Sequence, residues 1–244
     1  MSKFVGKYVG NMMDKIVGKK MGQETELKLS VPAHQIELLK SHPFWQEHAI
    51  KPPETLHLGN TYFDTPDLRL NQAKVALRIR EVNGQYIQTL KTQALKTRGE
   101  SVNGLTRRGE WEWPLSVNGL NGQVLPALWP AELSDISVAQ LKPLFTTDFY
   151  RTRWLLVWQS PFARVEAALD RGSVKSGNNS SPICELELEL IEGDESALIA
   201  ISNVLKCLFE LTPSDQSKAE KGFKLIATKS LPDTEQDESL AGSR

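Results

Sequence analysis

Very little in this sequence points to the commoner enzyme chemistries. Its 244 residues include only two cysteines and four histidines. Cys184 and Cys207 form no CxxC and sit in apolar runs, so two buried free thiols are expected, with no disulfide framework and no zinc site. No GxGxxG, Walker A, HExxH or GxSxG sequence occurs, which leaves dinucleotide folds, nucleotide P-loops, zincins and serine hydrolases without support. No run approaches the roughly 18 apolar residues of a membrane span. The formal net charge is −1, which argues against a general nucleic-acid binder. The N-terminal residues carry lysines but no uninterrupted apolar core and no small-residue cleavage pattern. No signal peptide is read there, and a cytoplasmic location is the expectation.

What the chain does have is alternation. QETELKLSV (23–31) puts Glu24, Glu26 and Lys28 on one side of a strand and Leu27, Leu29 and Val31 on the other. CELELEL (184–190) separates Glu185, Glu187 and Glu189 from Leu186, Leu188 and Leu190. VALRIR (75–80) does the same with Arg78 and Arg80, and RGEWEW (108–113) with Arg108, Glu110 and Glu112. FYRTRWLLVW (149–158) aligns Arg151 with Arg153, and ARVEAALDRG (163–172) aligns Arg164, Glu166 and Asp170. Three glutamates in a row on one strand face repel each other unless cations sit among them.

Along the chain, about eight strands and three or four helices are expected. Asn83-Gly84 joins two alternating runs as a hairpin. Short helices are read after Pro32 and near 135–145, 195–210 and 217–227, with polar loops at 94–107 and 173–182. Residues 1–21 leave three readings open: an extension of little order weakened by Gly6, Gly10 and Gly18, a basic amphipathic helix, or translation that begins at Met21. The main folded domain is placed at 22–229, and the acidic segment 230–244 is expected to be disordered. The histidines, His34, His42, His48 and His57, fall in helix or loop context and are read as surface or packing residues.

The charged faces can point out, over a sandwich core, or in, into a barrel with a polar lumen. A plain sandwich has no place for three amphipathic helices. A polar-lumen barrel needs helices or lipid on its outside, and the lipid version lacks an export signal and aromatic girdles. The expected fold is therefore α+β, mainly β: a closed eight-stranded antiparallel barrel with a polar lumen, covered by amphipathic helices. Each buried ion costs several kcal/mol even after pairing. Clustered carboxylates suit hard divalent cations, and clustered Arg and Lys suit phosphate oxygens. Both in one cavity point to a polyphosphate and its metal.

At this point the residues resemble a known family. ETELK is similar to the ExExK signature of CYTH domains, the triphosphate tunnel metalloenzymes. YFDT, LRIR, LK, a basic residue with RGEWE, YRTR, VEAALDRG, ELELEL and SKAEKG follow in the family's order. The wording is closest to the bacterial inorganic triphosphatase branch, whose members often add a C-terminal helical CHAD domain that this chain is too short to hold. The resemblance implies hydrolysis of triphosphate to diphosphate and phosphate with Mg²⁺ or Mn²⁺. It implies metal held by Glu24, Glu26, Glu187 and Glu189, with Glu24, Glu26 and Lys28 central to catalysis. Lys28, Arg78, Arg80, Lys91, Arg108, Arg151, Arg153 and Lys218 would bind phosphates. Class IV adenylyl cyclase, thiamine triphosphatase and a non-catalytic polyphosphate-binding module are the rival activities, and a homodimer is a common assembly.

Overall fold

The computed structural model describes residues 21–93, 103–125 and 127–228. The N-terminal extension, most of the expected 94–107 loop and the acidic tail lie outside the described residues. Strand β1 (Met21–Ser30) carries out the alternation read from the sequence. Leu27 and Leu29 are buried on one side, and Glu24, Glu26 and Lys28 are equally buried on the other. Both faces of this strand are therefore interior.

A 3₁₀ turn, α1 (Ile36–Ser41) and α2 (Phe44–His48) follow, then β2 (Glu54–Asp64), α3 (Arg69–Gln72), β3 (Ala76–Val82), β4 (Gln85–Gln93) and β5 (Leu105–Leu115). The second half gives β6 (Lys142–Gln159), β7 (Phe162–Ser176), β8 (Asn179–Gly193), α4 (Ser196–Leu208), the two-residue β9 (Thr212–Pro213) and α5 (Lys218–Thr228). All ladders are antiparallel. They run β5-β4-β3-β2-β6-β7-β8-β1, and β1 also pairs with β5, which closes an eight-stranded barrel. Closure leaves no unpaired edge within that ring.

Local chemistry explains several joints. Asn83 and Gly84 take φ of 51° and 73°, the two positive values a tight primed hairpin turn demands. In YFDT, the Asp64 carboxylate accepts backbone N–H bonds from Thr65, Leu70 and Asn71 at 2.7, 2.8 and 2.9 Å. It thereby fixes the strand-to-helix corner before β3. Gly222 on α5 lies so close to the Phe145 ring that a Cβ there would come within 2.1 Å of it.

Three expectations change. No helix forms near 135–145: the segment holds 3₁₀ turns at Ala131–Leu133 and Val138–Gln140, and β6 has begun by Lys142. The connector's apolar residues are used as a lid instead. Leu125, Leu133, Ile136 and Leu141 pack with Val75, Leu77 and Leu90 on the outside of β3 and β4. The expected loop 173–182 is mostly strand, since β7 and β8 pair down to Ser176 and Asn179. Cys207 is exposed rather than buried, on the outer side of α4, while Cys184 is half-buried.

The helices do cover the barrel, as expected, but not all from outside. α1, α2 and α4 pack on the outer leucines of β1 and β8, with Trp45 stacked on Trp154 at 4.2 Å. α5 packs elsewhere: Phe223 joins Phe145, Val174, Ile183, Leu56, Leu58, Val82 and Ile87. Those strand residues share the parity of the charged ones, so they face the lumen. The lumen thus has a charged half and an apolar half, and α5 closes the apolar end.

Candidate active site

All twelve residues singled out from the sequence line one cavity, of about 160 Å³: Glu24, Glu26, Lys28, Arg78, Arg80, Lys91, Arg108, Arg151, Arg153, Glu187, Glu189 and Lys218. Glu110, Glu112 and Glu166 line it as well. No histidine does. His42 Nδ1 instead accepts the Phe44 N–H, and His57 lies outside, 3.0 Å from Asp148.

Register decides which charges meet. Across β1 and β8, Lys28 faces Glu187, an attractive pair, and their side chains stand 3.0 Å apart. One step along, Glu26 faces Glu189, and on β7 Glu189 faces Glu166. Like charges opposed on neighbouring strands are destabilising unless a cation lies between them. Glu24 adds to this group. Burial, together with Glu26, Glu110 and Glu189, pushes its carboxyl up to about 7 against the pull of Lys91 at 2.7 Å. Glu26 is held below the usual carboxylate range: burial and Glu187 act against this, but Lys28, Lys91 and Arg108 outweigh them.

A second cluster is positive. Arg80 has its guanidinium pKa lowered, first by burial and then by Arg78 and Arg151. Its Nε donates to Asn60 at 3.2 Å, and Glu112 is 3.9 Å away. Arg78 donates to the Tyr62 hydroxyl at 3.3 Å, and Glu110 is 4.0 Å away. Among the described residues, its buried Nε finds no hydrogen-bond acceptor. A buried donor without an acceptor costs roughly 1–3 kcal/mol, and an anion in the lumen would supply one.

The third cluster is already neutralised. Asp170, Glu185 and Glu187 bring carboxylate oxygens within 4.8 Å of one another. Lys218, from the first turn of α5, sits among them at 2.6, 2.5 and 3.0 Å. Arg151 forks onto Asp170 at 2.7 Å and reaches Glu187 at 2.5 Å, and Lys221 reaches Glu185 at 3.0 Å. Burial acts against it, but Lys218, Lys28 and Arg151 hold Glu187 well below the usual carboxylate range.

Sequence reasoning missed part of this wall. Tyr62, Leu56, Leu58, Val82, Ile87 and Phe149 also line the cavity, and Glu54, outside the lining, pairs with the lining residue Arg153 at 2.7 Å. For β2 the signal was the even-numbered face of ETLHLGNTYFD, where Leu56, Leu58 and Tyr62 are interspersed with the polar residues Glu54, Asn60 and Asp64 and so read as part of an ordinary core face.

The structure is thus a closed barrel whose lumen sets a carboxylate cluster beside a guanidinium cluster. The chain belongs to the CYTH domain family, whose sequence profile matches residues 22–223. It is 36% identical over 216 residues to an inorganic triphosphatase of Haemophilus influenzae. That alignment takes in 87% of this chain and 58% of the relative, so the chain spans well under two thirds of that protein's length. Among solved structures it is similar to a Hippeastrum protein reported to have a dominant triphosphatase activity, with TM-score 0.55, 20% identity and 85% and 97% of the two chains covered. A Bacillus halodurans protein described as a candidate adenylate cyclase gives TM-score 0.53 at 21% identity, covering 82% and 96%. At such identities the two structures bear on the fold alone. Among the described residues no helix is long and apolar enough to cross a membrane.

Proposed function

We propose that this protein hydrolyses inorganic triphosphate to diphosphate and phosphate in the charged half of the lumen, with Mg²⁺ or Mn²⁺. The observation that carries the reading is juxtaposition in one cavity: the opposed carboxylates Glu26, Glu189 and Glu166 beside the clustered guanidinium groups of Arg78, Arg80 and Arg151. The similarity to the Haemophilus inorganic triphosphatase supports it. A pure anion binder would need the guanidinium groups but not the opposed carboxylates.

The donor set is all carboxylate oxygen, which suits a hard divalent ion. Glu24, Glu26 and Glu189 are the residues to hold it. A cation there would relieve the repulsion that Glu24 now meets. Glu187 is a fourth candidate, but it already accepts from Lys28, Arg151 and Lys218, so it must give up one of them. When bound, such an ion polarises phosphate oxygens and activates water.

The protein's own residues supply position and charge. Arg78, Arg80, Arg151 and Arg153 bind the phosphoryl oxygens and neutralise charge that develops as the bond to the leaving diphosphate breaks. Lys91 and Arg108 sit against Glu24 and Glu26 at 2.7 and 3.4 Å, where metal and phosphate would meet. Lys28 orients Glu26 and Glu187 and binds phosphate in turn. Lys218 closes the inner end of the site. The apolar wall of Leu56, Leu58, Val82 and Ile87 faces the same cavity and favours a second reading, a triphosphate with an organic group. Phosphate release from inorganic triphosphate, ATP and thiamine triphosphate, measured side by side with and without metal, separates the two. Preference for an organic substrate would overturn the first reading, and release from none of the three would overturn both.

A further inference from the structure

The lumen arginines are held in two ways. Arg151 forks onto Asp170, and Arg153 is held by Glu54, each at 2.7 Å, so their charge is already matched. Arg80 is held by a neutral group. Its Nε donates to the Asn60 amide oxygen at 3.2 Å. Among the described residues no carboxylate comes within hydrogen-bond distance of it: Glu112 stands 3.9 Å away and accepts the Thr89 hydroxyl at 3.1 Å. Register sets this up. Asn60 faces Arg80 across β2 and β3, and faces Thr147 across β2 and β6. The same row runs on to Ile87 on β4 and Val174 on β7, and Arg80 is the only charge among these residues. Asn60 and Thr147 are almost fully buried, and Asn60 does not itself line the cavity that Arg80 lines. The amide uses both ends. Its Nδ2 donates to the Thr147 hydroxyl at 2.8 Å, which leaves the oxygen for Arg80. A reversed amide would set NH₂ against a guanidinium N–H.

We propose that Asn60 is a positioning residue for triphosphate hydrolysis: it fixes the direction of the Arg80 guanidinium through a neutral oxygen, so that Arg80 meets a phosphoryl group with its charge unmatched. The inference rests on the hydrolase reading above. A carboxylate at position 60 would hold Arg80 more firmly, because a charge-assisted hydrogen bond is roughly twice as strong as a neutral one. It would also spend the charge. An incoming anion would meet a guanidinium already neutralised, with a negative charge directly behind it, in a lumen where charges act strongly on one another. The surroundings of Arg80 agree: burial, then Arg78 and Arg151, lower its pKa, the condition of a cation short of counter-charge. Asn60 therefore supplies what Asp170 supplies to Arg151, orientation, without the neutralisation.

The test compares Asn60→Asp with Asn60→Ser in the full chain. Asp keeps the shape and both contacts, since the Thr147 hydroxyl can turn and donate to the new carboxylate while Arg80 gains an ion pair. Without ligand, Asn60→Asp should melt no lower than wild type. Its kcat/KM for inorganic triphosphate with Mg²⁺ should nevertheless fall at least about tenfold, and its melting shift with the same ligands should shrink. Asn60→Ser, which removes the tether and adds no charge, should lose about threefold in kcat/KM. An amide that only supports the fold gives the reverse order, with Asp the milder change, and that order overturns the proposal. Should Asn60→Asp not fold, Asn60→Ser in the Arg80→Ala background decides. There the serine should cost nothing further, because it acts through Arg80. The same threefold loss in that background, or full activity of Asn60→Ser alone, contradicts the positioning role. Wild-type protein that fails to turn over triphosphate overturns the hydrolase reading and this role with it. Normal wild-type turnover with indifferent variants overturns the role of Asn60 alone.

Discussion

β3, β4, β6, β7 and β8 line both halves of the lumen with the same faces, yet the two halves behave as different materials. Toward β1, β5 and β8 the wall is Glu24, Glu26, Lys28, Arg108, Glu187 and Glu189. Toward α5 it is Phe145, Phe149, Val174, Ile183 and Phe223, with Tyr62 stacked on Phe145 at 4.6 Å. The apolar half is a conventional core and contributes stability in proportion to buried area. The charged half contributes little net stability, because the desolvation of each ion offsets its pairing. The comparison teaches that the fold is held by the outer leucine layers and the α5 plug.

The comparison can be broken at four points, taken from the largest expected effect down. Metal removal should abolish triphosphate hydrolysis, since the opposed carboxylates have no other way to meet phosphate. Turnover that persists in excess EDTA would remove the metal from the account. Arg80→Ala should lower kcat/KM by about 10²–10³-fold, as loss of one donor at a site of developing charge does. A fall of less than about threefold would move Arg80 out of the site. Phe145→Ala, in the apolar half, should do the reverse. It should cost about 3–5 kcal/mol of stability, read by denaturant unfolding, with specific activity of the folded fraction kept. If it leaves stability intact but lowers activity, the plug is part of the catalytic half. The smallest effect belongs to residues 1–20. Their removal should leave activity and melting temperature unchanged, because the ordered motifs begin at Glu24. A large loss of either would show that the extension packs on the barrel.

Legibility differed between these halves for a physical reason. Alternating charge in ETELKLSV, LRIR and ELELEL marked the strands and grouped the charged residues on one face of each, and the helix count, not the alternation, turned those faces inward. The apolar half carried no such contrast. In β2 the lumen residues Leu56, Leu58 and Tyr62 look like any buried face, and their parity gives no sign that they share a cavity with arginines. Register was also unreadable. That Glu26 meets Glu189 while Lys28 meets Glu187 depends on pairing between strands about 160 residues apart, which local pattern does not set. The expected helix near 135–145 failed because its apolar residues serve a lid of 3₁₀ turns, so tertiary packing overrode the helical spacing.

The central claim is that the cations of the charged half serve a bound anion and not the fold. A melting series of wild type and Arg80→Ala, each with and without triphosphate and metal, tests it most directly. Wild type should gain roughly 2.7 kcal/mol at about 100 times the dissociation constant, on the order of 5–10 °C for a chain of this size. Arg80→Ala should melt like wild type without ligand and lose most of the shift with it. If instead Arg80→Ala unfolds without ligand yet keeps the full shift when folded, Arg80 is a structural ion-pair partner and the charged lumen is self-paired.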